Sequence, residues 1–128
     1  AQNLFISPSA PAQHAALAAF QPETLAILES RREEFRTRRD LLLPGLRALG
    51  FRIDTEPQGA SYAYAGIGDL GADSFALAEQ LIEHAGVAAT PGLDFGANAP
   101  ERHMRFAYTV AAGKLAEGLA RMERYFTA

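Results

Sequence analysis

From Pro22 to Gly50 the chain carries one long helical pattern with apolar ends and a charged middle, and no compact fold can bury such a helix along its whole length. Leu25, Leu28, Phe35, Leu42, Leu46 and Leu49 recur broadly at helical spacing. Between them runs a dense stretch of mixed charge, Glu29 to Asp40. Its signs are spaced to support a helix, since Glu34 with Arg38 and Arg36 with Asp40 stand one turn apart. The pattern predicts a helix packed at its ends and solvated at its centre, which is the form of a connector between two lobes. Pro44-Gly45 predicts a kink or an interruption near its end, because proline lacks an N–H and its ring crowds the preceding turn.

Before this helix, Ser9 is a natural N-cap for an Ala-rich helix reaching Phe20, and Pro22 suits the first position of the next one. After Gly50 the period changes. Phe51 to Asp54 alternates as a strand, Pro57-Gln58-Gly59 turns, and Ser61 to Ala65 returns as a second strand, which predicts a hairpin. Asp73 is an N-cap for a helix with Phe75, Ala78, Leu81, Ile82 and Ala85 on one face, ended by Gly86. Val87 to Thr90 reads as a short strand, Pro91 to Glu101 as a loop, and Met104 to Val110 as a further strand. The last helix carries Leu115, Leu119, Met122 and Phe126 on one stripe, which docks it on a sheet. The order α-α-β-β-α-β-β-α defines an α+β fold, with a small, mostly antiparallel sheet packed by helices. We read residues 1–128 as a single domain, with 1–49 a helical connector and 50–128 an α/β sandwich core.

A chain of 128 residues buries roughly two-thirds of its unfolded surface, enough for a real core. A net charge of −3, with no basic excess, argues against a nucleic-acid partner. The absence of cysteine removes disulfides, thiolate chemistry and Cys-based zinc sites. Apolar stretches are short and broken, so we expect no membrane span, and Ala1 to Ser7 lacks the basic start and apolar run of a signal peptide. The start at Ala1, without Met, leads us to expect a preceding segment removed by processing or by choice of boundary.

Several motifs invite chemistry. Gly66-Ile67-Gly68-Asp69-Leu70-Gly71 matches GxGxxG, but Asp69 and Asp73 stand where a pyrophosphate needs positive potential, and the helix starts only after the last glycine. Turn geometry is the better reading. His14, His84 and His103 have no metal-ligand spacing. Lys114, the sole lysine, could in principle form a covalent bond to a carbonyl cofactor, but it lies off the apolar stripe of the last helix and reads as a solvated surface residue. Arg105 is different. By alternation it faces away from Met104, Phe106 and Tyr108, as a surface arginine would, or as a planar clamp for a carboxylate would. A Gly-rich loop, Thr90-Pro91-Gly92-Leu93-Asp94-Phe95-Gly96, comes just before it.

That loop followed by Arg105 on a strand resembles the end of class I/II aminotransferases, the fold-type I enzymes dependent on pyridoxal phosphate. Pro57-x-Gly59-Ala60-Ser61-Tyr62 is similar to the hairpin of that family. Asn3 to Gln13, with Ser7-Pro8, resembles the segment leading into its interdomain helix, and Arg38-Arg39-Asp40 before Leu46 and Leu49-Gly50 resembles that helix's end. The motifs stand in the family's order over nearly the whole chain. Ser61, in place of a bulky apolar residue, and Pro44, in a helix that is commonly continuous, depart from the pattern.

The resemblance implies the C-terminal small domain of such an enzyme. It implies that Arg105 binds the α-carboxylate of an amino acid or 2-oxo acid substrate, with Tyr62 near the entrance. It places the Schiff-base lysine and the other pyridoxal phosphate groups in a large domain preceding Asn3, so we expect no catalytic or cofactor-binding residue here and no transamination by this chain alone. It further implies a homodimeric, cytoplasmic parent that transfers an amino group between an amino acid and a 2-oxo acid. Related β-lyases and cyclopropane-forming synthases share this domain. The alternatives are a stand-alone carboxylate-binding or regulatory module built on Arg105, and an interaction domain docking through the long helix.

Overall fold

The computed structural model describes residues 7–128, so the Asn3 end of the segment compared above lies outside them. Among these described residues four helices and a three-stranded sheet follow one another. They are α1 (Ala10–Ala19), α2 (Pro22–Ala48), β1 (Tyr62–Gly66), α3 (Ser74–Gln80, continued by a π turn, Leu81–Ala85), β2 (Thr90–Pro91), β3 (His103–Ala107) and α4 (Ala112–Thr127). Two 3-10 turns, Gly92–Asp94 and Pro100–Arg102, lie between β2 and β3. The sheet order is β1-β3-β2, and both pairings are antiparallel. This is an α+β fold. By internal contacts the chain divides into a unit ending at Glu34 and a unit of Phe35–Ala128.

In the first unit, Ser9 stands in extended conformation at the start of α1 without a side-chain capping bond, and Pro22 opens α2. None of α1 is buried, and Leu17, Phe20, Leu25, Ile27 and Leu28 are exposed. Arg32 and Glu29 pair on the surface of α2. The central part of α2 is solvated, as the charge pattern predicts.

The second unit holds the core. Leu42, Leu43 and Leu46 of α2 pack with Phe51, Ala63, Ala65, Leu77, Leu81, Met104, Phe106, Leu115 and Met122. Within the sheet, small residues of β1 face large ones of β3, with Ala63 opposite Phe106 and Ala65 opposite Met104. Phe51 meets Phe106 edge-on at 4.9 Å, a favoured aromatic geometry.

Pro44 does not interrupt α2, which continues to Ala48. Pro44 and Asp40 lie on the exposed side, where the carbonyl that loses its partner stays hydrated, and buried Leu43 and Leu46 anchor the helix on either side. Gly45 lets α4 approach closely, since a Cβ there would sit 2.5 Å from Leu119 Cδ1.

The expected strand at 51–54 reduces to one bridge, Arg52 with Gly66, closed by two 2.8 Å backbone bonds. Beyond it the loop finds side-chain partners instead of a ladder. Arg39 Nη1 donates to the Pro57 carbonyl at 3.1 Å, the Tyr108 hydroxyl donates to the Gly59 carbonyl at 3.1 Å, and Arg47 pairs with Glu56. Ala60 takes a left-handed φ of 62°, which turns the chain into β1 without a regular hairpin.

Asp73 caps α3 as expected, accepting from the Phe75 and Ala76 N–H groups, and Gly86 ends the π turn in left-handed conformation. The buried face of α3 is nevertheless Ser74, Leu77, Ala78 and Leu81, while Phe75 and Ile82 are exposed. Both sets share Ala78 and Leu81, so spacing alone does not choose between them. Ser74 is accommodated inside because its hydroxyl donates to the Pro100 carbonyl at 3.2 Å. The expected 87–90 strand pairs only at Thr90 and Pro91, and the last strand closes at Ala107 rather than Val110. α4 buries Leu115 and Met122 and half-buries Leu119 and Phe126, the stripe read from sequence.

Leu46 is fully buried, whereas Leu25 and Leu28 are about half exposed. Leu46→Ala is expected to cost about 2–5 kcal/mol in urea unfolding of the chain, and Leu25→Ala or Leu28→Ala to fall within about 0.5 kcal/mol.

Candidate functional site

The site follows from the two-residue period of β3. Met104 and Phe106 are buried, so His103 and Arg105 project from the other face of the sheet. On β1, Ala63 and Ala65 are buried, so Tyr62 and Tyr64 project to that same outer face. The register sets Tyr64 and Thr90 on either side of Arg105, in one row across three strands.

Within this row the Arg105 guanidinium lies between rings. Its carbon is 4.5 Å from the Phe95 ring centroid and 5.5 Å from that of Tyr62. Both are within range of a cation–π attraction. Arg105 Nη2 donates to the Thr90 hydroxyl at 3.4 Å, a long contact. Its Nε is buried without a hydrogen-bond partner among the described residues. The two candidate residues, Arg105 and Tyr62, are therefore neighbours. The arrangement is a planar cation, its orientation limited by two aromatic faces, in a setting suited to forked recognition of a carboxylate.

The loop carrying Phe95 is set by close packing. A Cβ on Gly92 would collide with the Pro100 carbonyl oxygen and would lie 2.6 Å from the Tyr64 hydroxyl and 2.8 Å from the His103 carbonyl oxygen. Burial raises the Tyr64 pKa, with the Glu101 charge acting in the same direction, so this phenol stays protonated around neutrality. His103 stacks on Tyr64 at 5.0 Å, and its Nδ1 lies 2.8 Å from the Ala99 carbonyl oxygen. A carbonyl only accepts, so Nδ1 is the donor. Sequence reading quoted Thr90 and Phe95 within a motif but did not single them out, and it missed Tyr64 and His103 as site residues. Alternation would have found the latter two, since they stand two residues from Tyr62 and Arg105.

The other motifs lie elsewhere. The Gly66–Gly71 loop turns carbonyls, not N–H groups, toward a side chain. Arg102 donates to the carbonyls of Gly68, Gly71 and Ala72. A loop already engaged with a cation in this way supports the turn reading over an anion cradle. No His, Asp and Glu grouping able to hold a metal ion occurs among the described residues. No helix of the described residues is long and apolar enough to cross a membrane. Lys114 is exposed on α4 and paired with Glu117 at 2.9 Å. Lys114 and Arg121 together hold the Glu117 carboxyl below its usual range. Lys114 does not fit the role of a Schiff-base lysine.

The fold is a small α+β domain with an arginine cluster on the outer face of its sheet. A family model for aminotransferase class I and II matches residues 1–122. The chain belongs to that family. It is 34% identical over 120 residues to valine–pyruvate aminotransferase of Mycobacterium tuberculosis, covering 94% of this chain and 31% of the relative. It is 41% identical over 120 residues to aspartate/prephenate aminotransferase of Thermus thermophilus, covering 92% of this chain and 30% of that one. The crystal structure of an aminotransferase from Mycobacterium tuberculosis superposes with a TM-score of 0.87 at 34% identity, over 98% of this chain and 33% of that one. The chain thus spans about a third of the length of the relatives it matches.

Gly92→Ala is expected to cost about 1–3 kcal/mol, since backbone oxygens must move to admit the methyl group. Urea unfolding checks this, and near-ultraviolet circular dichroism should report the displaced Tyr64 and Phe95 rings.

Proposed function

We propose that this chain is the substrate-carboxylate-binding part of a pyridoxal-phosphate-dependent aminotransferase that moves an amino group between an amino acid and a 2-oxo acid. The observation that carries the reading is the Arg105 guanidinium set against Tyr62 and Phe95 on the outer face of the sheet, with Nε buried and unpaired among the described residues. Family membership supports the cofactor and the class of reaction, and it also supports a homodimeric parent.

The role assigned to Arg105 is to hold the α-carboxylate. A guanidinium fork accepts two oxygens in one plane and so fixes the substrate against rotation. The rings of Tyr62 and Phe95 restrict the guanidinium before substrate arrives, which lowers the ordering cost of binding. Tyr62 is itself half exposed. No lysine of this chain is arranged to bind the cofactor covalently, so no catalytic proton transfer is assigned to it. The amino-transfer chemistry belongs to the rest of the parent protein.

In the full-length parent, Arg105→Lys keeps the charge but loses the fork and the stacking. It is expected to lower kcat/KM for amino acid and 2-oxo acid alike by roughly a hundredfold, mostly through KM, while the visible cofactor absorbance is unchanged. Lys114→Gln should leave both unchanged. Activity of the Arg105→Lys protein equal to wild type would refute the assignment, as would loss of the cofactor on Lys114→Gln.

A further inference from the structure

Tyr108 follows β3 directly and is 1% exposed, yet its side chain ends in a hydroxyl. Its ring meets Phe35 of α2 edge-on at 6.2 Å. A phenylalanine would fill that space as well, so packing does not account for the oxygen. A buried hydroxyl needs a partner, and this one donates to the Gly59 carbonyl at 3.1 Å. The backbone N–H of Tyr108 donates to the Ser61 carbonyl at 2.8 Å. Tyr108 therefore holds the 59–61 turn by two alternate carbonyls.

Arg39 holds the same turn from α2. Its Nη1 donates to the Pro57 carbonyl at 3.1 Å, while Nε and Nη2 donate to Asp40 Oδ1 at 2.8 and 2.7 Å, which fixes the plane of the guanidinium. Burial pushes the Tyr108 phenol up, against the opposing pull of the Arg39 charge, so the hydroxyl stays a donor around neutrality. The turn has little packing of its own. Gln58, Gly59 and Ala60 are exposed, and a Cβ on Gly59 would meet nothing within 4 Å. Ala60 is also held at a φ of 62°, a conformation that a residue with a Cβ adopts only at a cost.

Two residues beyond Ala60, Tyr62 opens β1 opposite Ala107, and its ring stands 5.5 Å from the Arg105 guanidinium carbon. We propose that Tyr108 and Arg39 are positioning residues for substrate binding: their hold on the Gly59 and Pro57 carbonyls sets the turn that delivers the Tyr62 ring to Arg105. The inference rests on the reading of Arg105 given above. Tyr108 lies on the core side with Met104 and Phe106, away from Arg105, so it acts through the turn and not on the ligand. Without the two bonds the turn is free to leave its strained form. Arg105 then loses the ring that restricts it on one side, and substrate must order the guanidinium on binding.

The test uses the full-length parent. Tyr108→Phe keeps the ring and its packing and removes the bond to Gly59. It is expected to raise KM for amino acid and 2-oxo acid roughly three- to tenfold, with kcat and the visible cofactor absorbance unchanged. Arg39→Met, on the flank of α2, should move KM the same way and decides the matter if Tyr108→Phe does not fold. A general loosening of the core would act with or without the Tyr62 ring, whereas positioning acts through it. In a Tyr62→Ala background, therefore, Tyr108→Phe should add no further rise in KM. The proposal is overturned if KM stays at the wild-type value in either folded variant, if kcat falls instead, or if the rise persists in the Tyr62→Ala background. Failure of the underlying reading shows differently, as a KM that Arg105→Lys leaves at the wild-type value.

Discussion

The strand β3 is pinned by the burial of Met104 and Phe106, and the rest of the second unit is arranged around that pinning. The two side chains are held between α2, α3 and α4 on one face, opposite Ala65 and Ala63 of β1. With a side-chain period of two, burial of these positions leaves His103 and Arg105 no choice of face. A slip of one residue in register would bury a guanidinium and expose a phenylalanine. Removing a charge from water without a partner costs several kcal/mol, so the register is strongly specified. The location of the cluster is thus a consequence of core packing rather than of any interaction that the cluster makes for itself.

Two glycines make the close approaches that this arrangement requires, and their neighbours differ in kind. At Gly45 an added methyl would meet the tip of Leu119, a side chain able to rotate away. At Gly92 it would meet the carbonyls of Pro100 and His103 and the hydroxyl of Tyr64. Gly92 therefore couples the loop that carries Phe95 to the start of β3 and to Tyr64, the register partner of Arg105 on β1. Neither glycine lies in the left-handed region, so the requirement at both is space rather than backbone freedom.

Much of this was legible in the sequence where one interaction dominated. The Asp73 cap, the Gly86 terminator, the stripe of α4 and the outward face of Arg105 each follow from a local rule, and each is found. The misreadings arose where two rules competed. Phe51 to Asp54 alternates like a strand, but the loop after it is held by Arg39, Arg47 and Tyr108, residues distant in sequence. Phe75 and Ile82 fit a helical stripe as well as Leu77 does, and only a partner for Ser74 near Pro100 decides which face turns inward. The pairing of Arg105 with Thr90 depends on β2, a strand of two residues, too short to leave a periodic trace. Phe95 reaches Arg105 through a loop whose path follows from contacts with Pro100 and His103 rather than from its own composition.

The composition of the cluster suits the proposed role of a clamp. A guanidinium keeps its charge at any pH a folded protein tolerates. Burial pushes the Tyr64 phenol upward, away from neutrality. The phenol thus keeps its proton through the range where a general base would have to change its own state. What the rings contribute is geometric, since aromatic faces hold the plane of a cation without offering it a competing anion. A carboxylate partner of this chain's own would hold Arg105 as firmly, but it would have to be displaced by every incoming substrate. Stacking adds no competing anion at the guanidinium, and Arg105 Nε has no hydrogen-bond partner among the described residues.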